Sequence, residues 1–328
     1  MTKINAFSQT LEAAVCRNIS GVQKIKGLHR LSGGGSQETW CFDAVSASGK
    51  KKLILRRTPE SVSGDTWVSI PLEVEAELIT RAAKEGVPSP AIHYVLAPKD
   101  GAGSGFIVDF IEGETFVRRI LRDDQYATAR EKMIGQMGDA LARIQKVDAT
   151  NIADLPVLDA SAQITRNKEI YREWDEAHPV LEATFVWLEA NIPEIKPLVL
   201  VHGDFRNGNF IVGPEGIRAV IDWELAHLGD PAEDFGWTSI NVWRFGADKP
   251  VGGLGEREDF YAAYEAAGGA PVDHTRTHFW EVFGCLKWAM LCRLMVTRYE
   301  TGTDAGVEMA YIGRRMCEAE IDLLNLLT

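Results

Sequence analysis

Residues 201 to 223 read VHGDFRNGNFIVGPEGIRAVIDW and set His202, Asp204, Asn209 and Asp222 among short apolar runs. Asp222 is the most restrictive of the four. A carboxylate inside AVIDWEL needs a reason to stand at the end of an apolar strand. LVLVH and GIRAVID have the length and composition of short strands. HGDFRNGN between them is rich in turn formers, and its N-G pair favours hairpins. The stretch is therefore either a hydrophilic turn joining two strands or a polar cluster with chemistry of its own.

The spacing gives the second reading its content. His202, Asp204 and Asn209 fit H-x-D-x-x-x-x-N, the pattern of a kinase catalytic loop. A hydroxyl that attacks a γ-phosphate needs a carboxylate to orient it and accept its proton, a role that suits Asp204. Mg²⁺ takes oxygen ligands and combines few protein groups with phosphate oxygens and water. Asn209 offers a neutral carbonyl oxygen and Asp222 a charged one, while His202 is expected to brace the loop by hydrogen bonds.

The remaining chain divides in two by character. A helix over 7–17 precedes the glycine stretch SGGGSQET, and ETWCFDAV and KKLILRR alternate as two strands joined by a polar turn. A helix over Leu72 to Lys84 and two further strands, AIHYVLA and GFIVDFI, complete a β-rich segment, residues 1–112. Residues 113–328 read as mainly helical, with segments at 126–147, 163–191, 256–268, 273–299 and 305–327. The expected fold class is α+β, a small antiparallel sheet carrying one helix beside a larger helical lobe. With 45% apolar residues and nine tryptophans, the chain can bury a substantial core.

RLSGGGSQETW, HGDFRNGNFIV and IDWELAHLGDPAEDFGW together resemble the aminoglycoside phosphotransferase-like kinases, in particular the kinase-like domain joined to some acyl-CoA dehydrogenases. The resemblance implies a protein-kinase-like bilobal fold and ATP-dependent phosphorylation of a small-molecule hydroxyl, with Mg²⁺ as the metal. It makes Asp204 the base, Asn209 and Asp222 the metal ligands and Asp234 a buttress of the catalytic loop. Gly33, Gly34, Gly35 and Ser36 would form the phosphate loop, although the stretch has neither the G-x-G-x-x-G spacing nor a Walker lysine. A cation is needed on the next strand, and Arg56 is favoured there with Arg57 as the alternative. The helix glutamate falls at Glu75, eleven residues before Gly86, with Glu73 and Glu77 also near enough. Backbone groups of Asp109, Phe110 and Ile111 would meet the adenine edge at the hinge.

Asp234 follows Asp222 by twelve positions, too few for the long activation segment of a protein kinase, so the acceptor is expected to be a small molecule. Lys287, Arg293 and Arg298 would suit an anionic acceptor such as a hydroxyacyl-CoA if they faced the cleft; otherwise Trp280, Phe283, Trp288 and Leu291 are core and the cations its edge. Glu224 and Asp230 would instead suit a cationic aminoglycoside or amino-alcohol. A net charge of −12 argues against a nucleic-acid partner, and no apolar run is long enough to span a bilayer. Five cysteines without a C-x-x-C pair fit a reducing cytoplasm. The competing reading is a catalytically weak kinase-fold protein that holds a nucleotide or metabolite without turnover.

Overall fold

The computed structural model describes residues 3–31, 37–58, 69–304 and 306–328. Helix α1 (Lys3–Asn18) leads into strand β1 (Val22–Arg30), followed by β2 (Glu38–Ser46), β3 (Gly49–Thr58), helix α2 (Leu72–Lys84), β4 (Ile92–Val95) and β5 (Ser104–Asp109). The five strands form one antiparallel sheet in the order β1-β2-β3-β5-β4. One more strand is present than the sequence pattern predicts. VQKIKGLHR, in β1, is an edge strand whose residues are mostly exposed, so it shows no alternation of apolar and polar positions.

Alternation along β3 sorts its side chains between two cores. Leu53 and Leu55 are buried with Leu11 and Val15 of α1. Ile54 faces the other way, toward a core that includes Leu78 and Ile79 of α2 and Phe106 of β5. A period of two therefore sends Arg56 to the α2 side and Arg57 to the α1 side. Arg57 accordingly lies over the Phe7 ring, 3.7 Å from its centroid.

The rest of the chain is mainly helical: α3 (Val117–Arg122), α4 (Ala127–Ile144), α5 (Ala160–Arg172), α6 (Pro179–Ala190), α7 (Glu233–Ser239), α8 (Arg257–Ala266), α9 (His274–Thr301), α10 (Val307–Gly313) and α11 (Met316–Leu326). The apolar core of α2 and β5 continues through Met133 and Leu141 of α4 to Phe205, Phe210 and Trp223, so the small sheet and the helical lobe share buried surface. A second core surrounds α9 and includes Trp280 and Phe283.

Four short strands carry the polar stretch: β6 (Val199–Val201), β7 (Phe210–Gly213), β8 (Gly216–Val220) and β9 (His227–Gly229). HGDFRNGN does not join LVLV to GIRAV as a hairpin. β6 pairs with β9, and β8 pairs with β7, in two separate antiparallel ribbons. β7 and β9 escape the sequence pattern because their apolar runs, FIV and a lone Leu228, are shorter than the LVLV that marks β6. The loop 202–209 thus runs from one ribbon to the other, and its polar residues are free to turn inward.

Candidate active site

The loop backbone is fixed first. Gly203 has φ 78°, and a Cβ there would collide with the Leu225 carbonyl, so a left-handed residue without a side chain is required. The His202 and Gly203 N–H groups donate to the two Asp234 oxygens at 2.8 and 3.0 Å. From the opposite direction Lys287 Nζ donates to the Gly203 carbonyl at 2.9 Å. His202 is fully buried, and burial pushes its imidazole down to about 4, so the ring is neutral and Nδ1 accepts the Asp204 N–H at 3.3 Å. Burial likewise pushes the Asp234 carboxyl up to about 6 against the pull of its two backbone donors.

The Asp204 carboxylate is held by three side chains. Its Oδ1 accepts from Trp237 Nε1 at 2.6 Å and Arg206 Nε at 2.9 Å, and its Oδ2 accepts from Asn209 Nδ2 at 2.6 Å. Asn209 Nδ2 also donates to the Asp204 carbonyl at 3.0 Å. Because both Asn209 donor bonds go to Asp204, its Oδ1 is left as the oxygen available to a cation. The Asn209 carbonyl accepts the Ile221 N–H at 2.9 Å, which ties the loop to the residue before Asp222.

Asp222 adopts φ 68°, a left-handed conformation uncommon for a residue with a side chain and characteristic of functionally constrained positions. Arg56 reaches it across the cleft with Nη2 at 2.5 Å, and lies 3.5 Å from Glu75 and 3.6 Å from Glu224. Gln37 takes the Arg56 Nε–H. Burial opposes ionisation of Asp222, but the adjacent guanidinium outweighs it and holds the carboxyl below its usual range. Glu75 is pushed up to about 7, mainly by burial, with Arg56 only partly compensating. Glu73 and Glu77 are exposed, so Glu75 alone of the three reaches this cluster. Asp109 points its side chain away, to His93 at 2.6 Å and Lys51 at 2.7 Å.

Two cavities flank these residues. One, of about 310 Å³, is lined by the charged Arg56, Glu75 and Asp222 and by the apolar Ile54, Ile79, Phe106, Val108, Ile211 and Ile221. Asp109, Phe110 and Ile111 also line it, and the Ile111 N–H has no hydrogen-bond partner among the described residues. The other, of about 720 Å³, is bounded by Arg206 and Gly208 of the loop, Arg118, Phe245, Trp288 of α9, Tyr311 of α10, and Arg315 and Asp322 at α11. Gly33, Gly34, Gly35 and Ser36 lie outside the described residues. Asp230 forms a buried fork with Arg276 and so is spent on structure. Lys287 lies behind the loop instead of at a core edge, Arg293 pairs with Glu176 and Glu300, and Trp288 packs against the α9 core while also lining the large cavity.

The sequence model of the phosphotransferase enzyme family matches residues 27–280, most of the chain. The chain belongs to this family. Membership makes it a phosphotransferase of the small-molecule kinase class. Among curated relatives, mouse acyl-CoA dehydrogenase family member 10 is 27% identical over 318 residues, covering 88% of this chain but only 29% of that protein, so the chain spans less than a third of that relative's length. A Ralstonia eutropha structure assigned to the aminoglycoside phosphotransferases shares the fold with a TM-score of 0.75 at 20% identity, over 97% of each chain. A spectinomycin phosphotransferase solved with ADP and spectinomycin superposes with a TM-score of 0.60 at 15% identity, over 96% of this phosphotransferase and 98% of that one.

Sequence reasoning overlooked Arg206 and Trp237, and it considered Lys287 for the cleft or a core edge but not for a place behind the loop. Arg206 was within reach, two residues after Asp204 in the quoted loop. Trp237 follows Asp234 by three positions, one helical turn, which puts both on the same side of α7. Nothing in the run of α9 distinguishes Lys287 from a surface cation.

Proposed function

We propose that this phosphotransferase moves the γ-phosphate of ATP to a hydroxyl of a small molecule, with Asp204 as the base. The observation that carries the reading is a pair of cavities, one reached by Asp222 and the other by the loop 202–209. Asp222 and Arg56 line the smaller, apolar one, and Arg206 beside Asp204 lines the larger. The smaller suits a nucleotide. Its apolar walls accept a base, the hinge at Asp109–Ile111 offers the Ile111 N–H, which has no partner among the described residues, and Arg56 offers a cation to phosphate. We take the lobes to meet at 112/113, just past that hinge.

In this reading the acceptor enters the larger cavity and its hydroxyl donates to the Asp204 carboxylate. The oxygen then bonds to the γ-phosphorus as the bond to the β-γ bridging oxygen breaks, and the proton passes to Asp204. ADP and a phosphate ester leave, and Asp204 returns its proton to solvent. The donor set fits magnesium. Asp222 brings one carboxylate and Asn209 a carbonyl oxygen, and no cluster of three or more His, Cys, Asp or Glu among the described residues forms a cage that would make phosphate oxygens unnecessary. Bound there, the ion would supply neutralisation of phosphate charge.

The acceptor class follows from size and from what is already paired. A volume of about 720 Å³ exceeds what a bare amino-alcohol needs, and pairing of Asp230 with Arg276 removes one of the two acids on which a cationic acceptor rests. Arg118, Arg206 and Arg315 line that cavity, as do Glu308, Glu318 and Asp322. Arg206 pairs with Asp204 and Arg315 with Glu318, so the acyl-CoA dehydrogenase relatives and Arg118, which has no ion pair among the described residues, are what favour a hydroxyacyl-CoA over an aminoglycoside. A kinase-shaped binder without turnover would have no use for a carboxylate held by three donors.

Two measurements test the proposal. Candidate acceptors incubated with Mg-ATP are read by mass spectrometry for gain of a phosphate, and a hydroxyacyl-CoA is expected to gain it. Asp204→Ala should abolish the transfer while Mg-ATP affinity stays within about twofold. Equal turnover by mutant and parent would remove Asp204 from the chemistry.

A further inference from the structure

A carboxylate one carbon from the backbone swings about two bonds, so donors must hold it at the angle the acceptor hydroxyl requires. Asn209 and Arg206 hold Asp204 from within its own loop. Arg206 is the less secure of the two. It is partly exposed, packs its guanidinium 4.2 Å from the Trp243 ring centroid and lines the larger cavity, where an entering molecule can draw it away. The third donor comes from outside the loop.

Trp237 is 3% exposed, and its indole is enclosed on several sides. Trp243 meets it edge-on at 5.2 Å between centroids, and Lys287 Nζ lies 4.7 Å from its ring centroid. The same ammonium donates to the Gly203 carbonyl, so one cation fixes both the indole and the loop that carries Asp204. Gly236, beside it, lets α7 press directly on α9, since a Cβ there would collide with the backbone of Trp280 and Glu281. α7 is thus seated directly on α9, and Trp237 Nε1 is aimed at Asp204 Oδ1.

We propose that Trp237 is a positioning residue for phosphoryl transfer, its indole N–H holding the Asp204 carboxylate in its working orientation from outside the loop. This rests on the reading of Asp204 as the base. Asn209 fixes one oxygen and Trp237 the other, and the two donors reach it from separate elements. The N–H is then needed for turnover and not for nucleotide binding.

The test uses the full chain with Mg-ATP alone, water serving as the acceptor hydroxyl, and follows phosphate release together with the affinity for a non-hydrolysable ATP analogue. Trp237→Phe should lower kcat about tenfold to a hundredfold, with KM for ATP and analogue affinity within about twofold. Replacement of Trp237 by benzothienylalanine, whose sulfur takes the place of the N–H in the same ring shape, should reproduce that loss with an unchanged melting temperature. 5-Fluorotryptophan, which keeps the N–H, should restore the parental rate. Parental kcat with benzothienylalanine overturns the proposal, as does a loss with it that 5-fluorotryptophan shares. Asp204→Asn is the control for the underlying reading. If it hydrolyses ATP at the parental rate, the base assignment falls; if it is inactive while benzothienylalanine is harmless, the base stands and only Trp237 is released from the role.

Discussion

Arg56 of β3 and Asp222 of the helical lobe form a 2.5 Å ion pair between residues 166 positions apart, joining the sheet to the loop after β8. Around that one guanidinium stand three carboxylates, Glu75, Asp222 and Glu224. Removing the cation leaves buried charge without compensation, which is the costly half of breaking a buried pair. Arg56→Met should therefore destabilise the fold by about 3–5 kcal/mol in denaturant titration at pH 8. Glu75 already has a carboxyl pushed up to about 7, so it can shed its charge by taking a proton. Stability associated with such a raised carboxyl is present at low pH and lost as pH rises through the folded value. The loss in Arg56→Met should accordingly be smaller at pH 6 than at pH 8. A loss that grows on acidification contradicts the cluster as described.

Asn209 has two functions that one substitution can separate. Its amide nitrogen holds Asp204 Oδ2 at 2.6 Å, and its remaining oxygen is the proposed metal ligand. Asn209→Asp keeps an oxygen for the metal but removes the donor and sets a second carboxylate against the first. Turnover should fall about a hundredfold or more, while Mg-dependent nucleotide affinity changes by less than about tenfold. Calorimetry beside a single-turnover assay reads both. Equal losses in the two would mean that positioning and metal binding are not separable at this residue.

Local pattern carried much of this structure and stopped where contacts became long-range. The helix Leu72 to Lys84 was readable to the residue, because its apolar face repeats at helical spacing. Strand alternation contained the choice between Arg56 and Arg57, since Leu53 and Leu55 mark the buried α1 face and leave Arg56 on the other. The order of Asp204, Asn209 and Asp222 was legible from spacing, but the Arg56–Asp222 pair depends on how the lobes close and has no local signature. The same holds for Lys287, whose partner Gly203 is 84 positions away. β1 and β9 were illegible for a simpler reason: one is a mostly exposed edge, the other has a lone Leu228 for its apolar run.

His202 ties stability to pH in a stated direction. Its imidazole is pushed down to about 4 by burial, from an ordinary value near 6.5. Between those values the unfolded chain binds a proton that the folded protein refuses, so stability falls as pH is lowered through this window. The total is on the order of 3 kcal/mol. Asp234, pushed up to about 6, works oppositely and must be subtracted. His202→Asn keeps an acceptor for the Asp204 N–H and removes the titration, so its stability should decline less than the parent's between pH 7 and pH 5. Parallel denaturation profiles for the two proteins would show that the ring is not held neutral.

Arg118 offers the sharpest discrimination between acceptor classes. It lines the larger cavity, is exposed, and has no ion pair among the described residues, whereas Arg206 pairs with Asp204 and Arg315 with Glu318. A free guanidinium at the rim attracts an anionic acceptor and repels a cationic one, by an amount that added salt screens. Arg118→Glu should raise KM for a hydroxyacyl-CoA about tenfold in low salt, leave KM for ATP unchanged, and lose most of its effect near 1 M salt. For an aminoglycoside the sign reverses and KM falls. The direction of that single change identifies the charge of the molecule whose hydroxyl is proposed to meet Asp204.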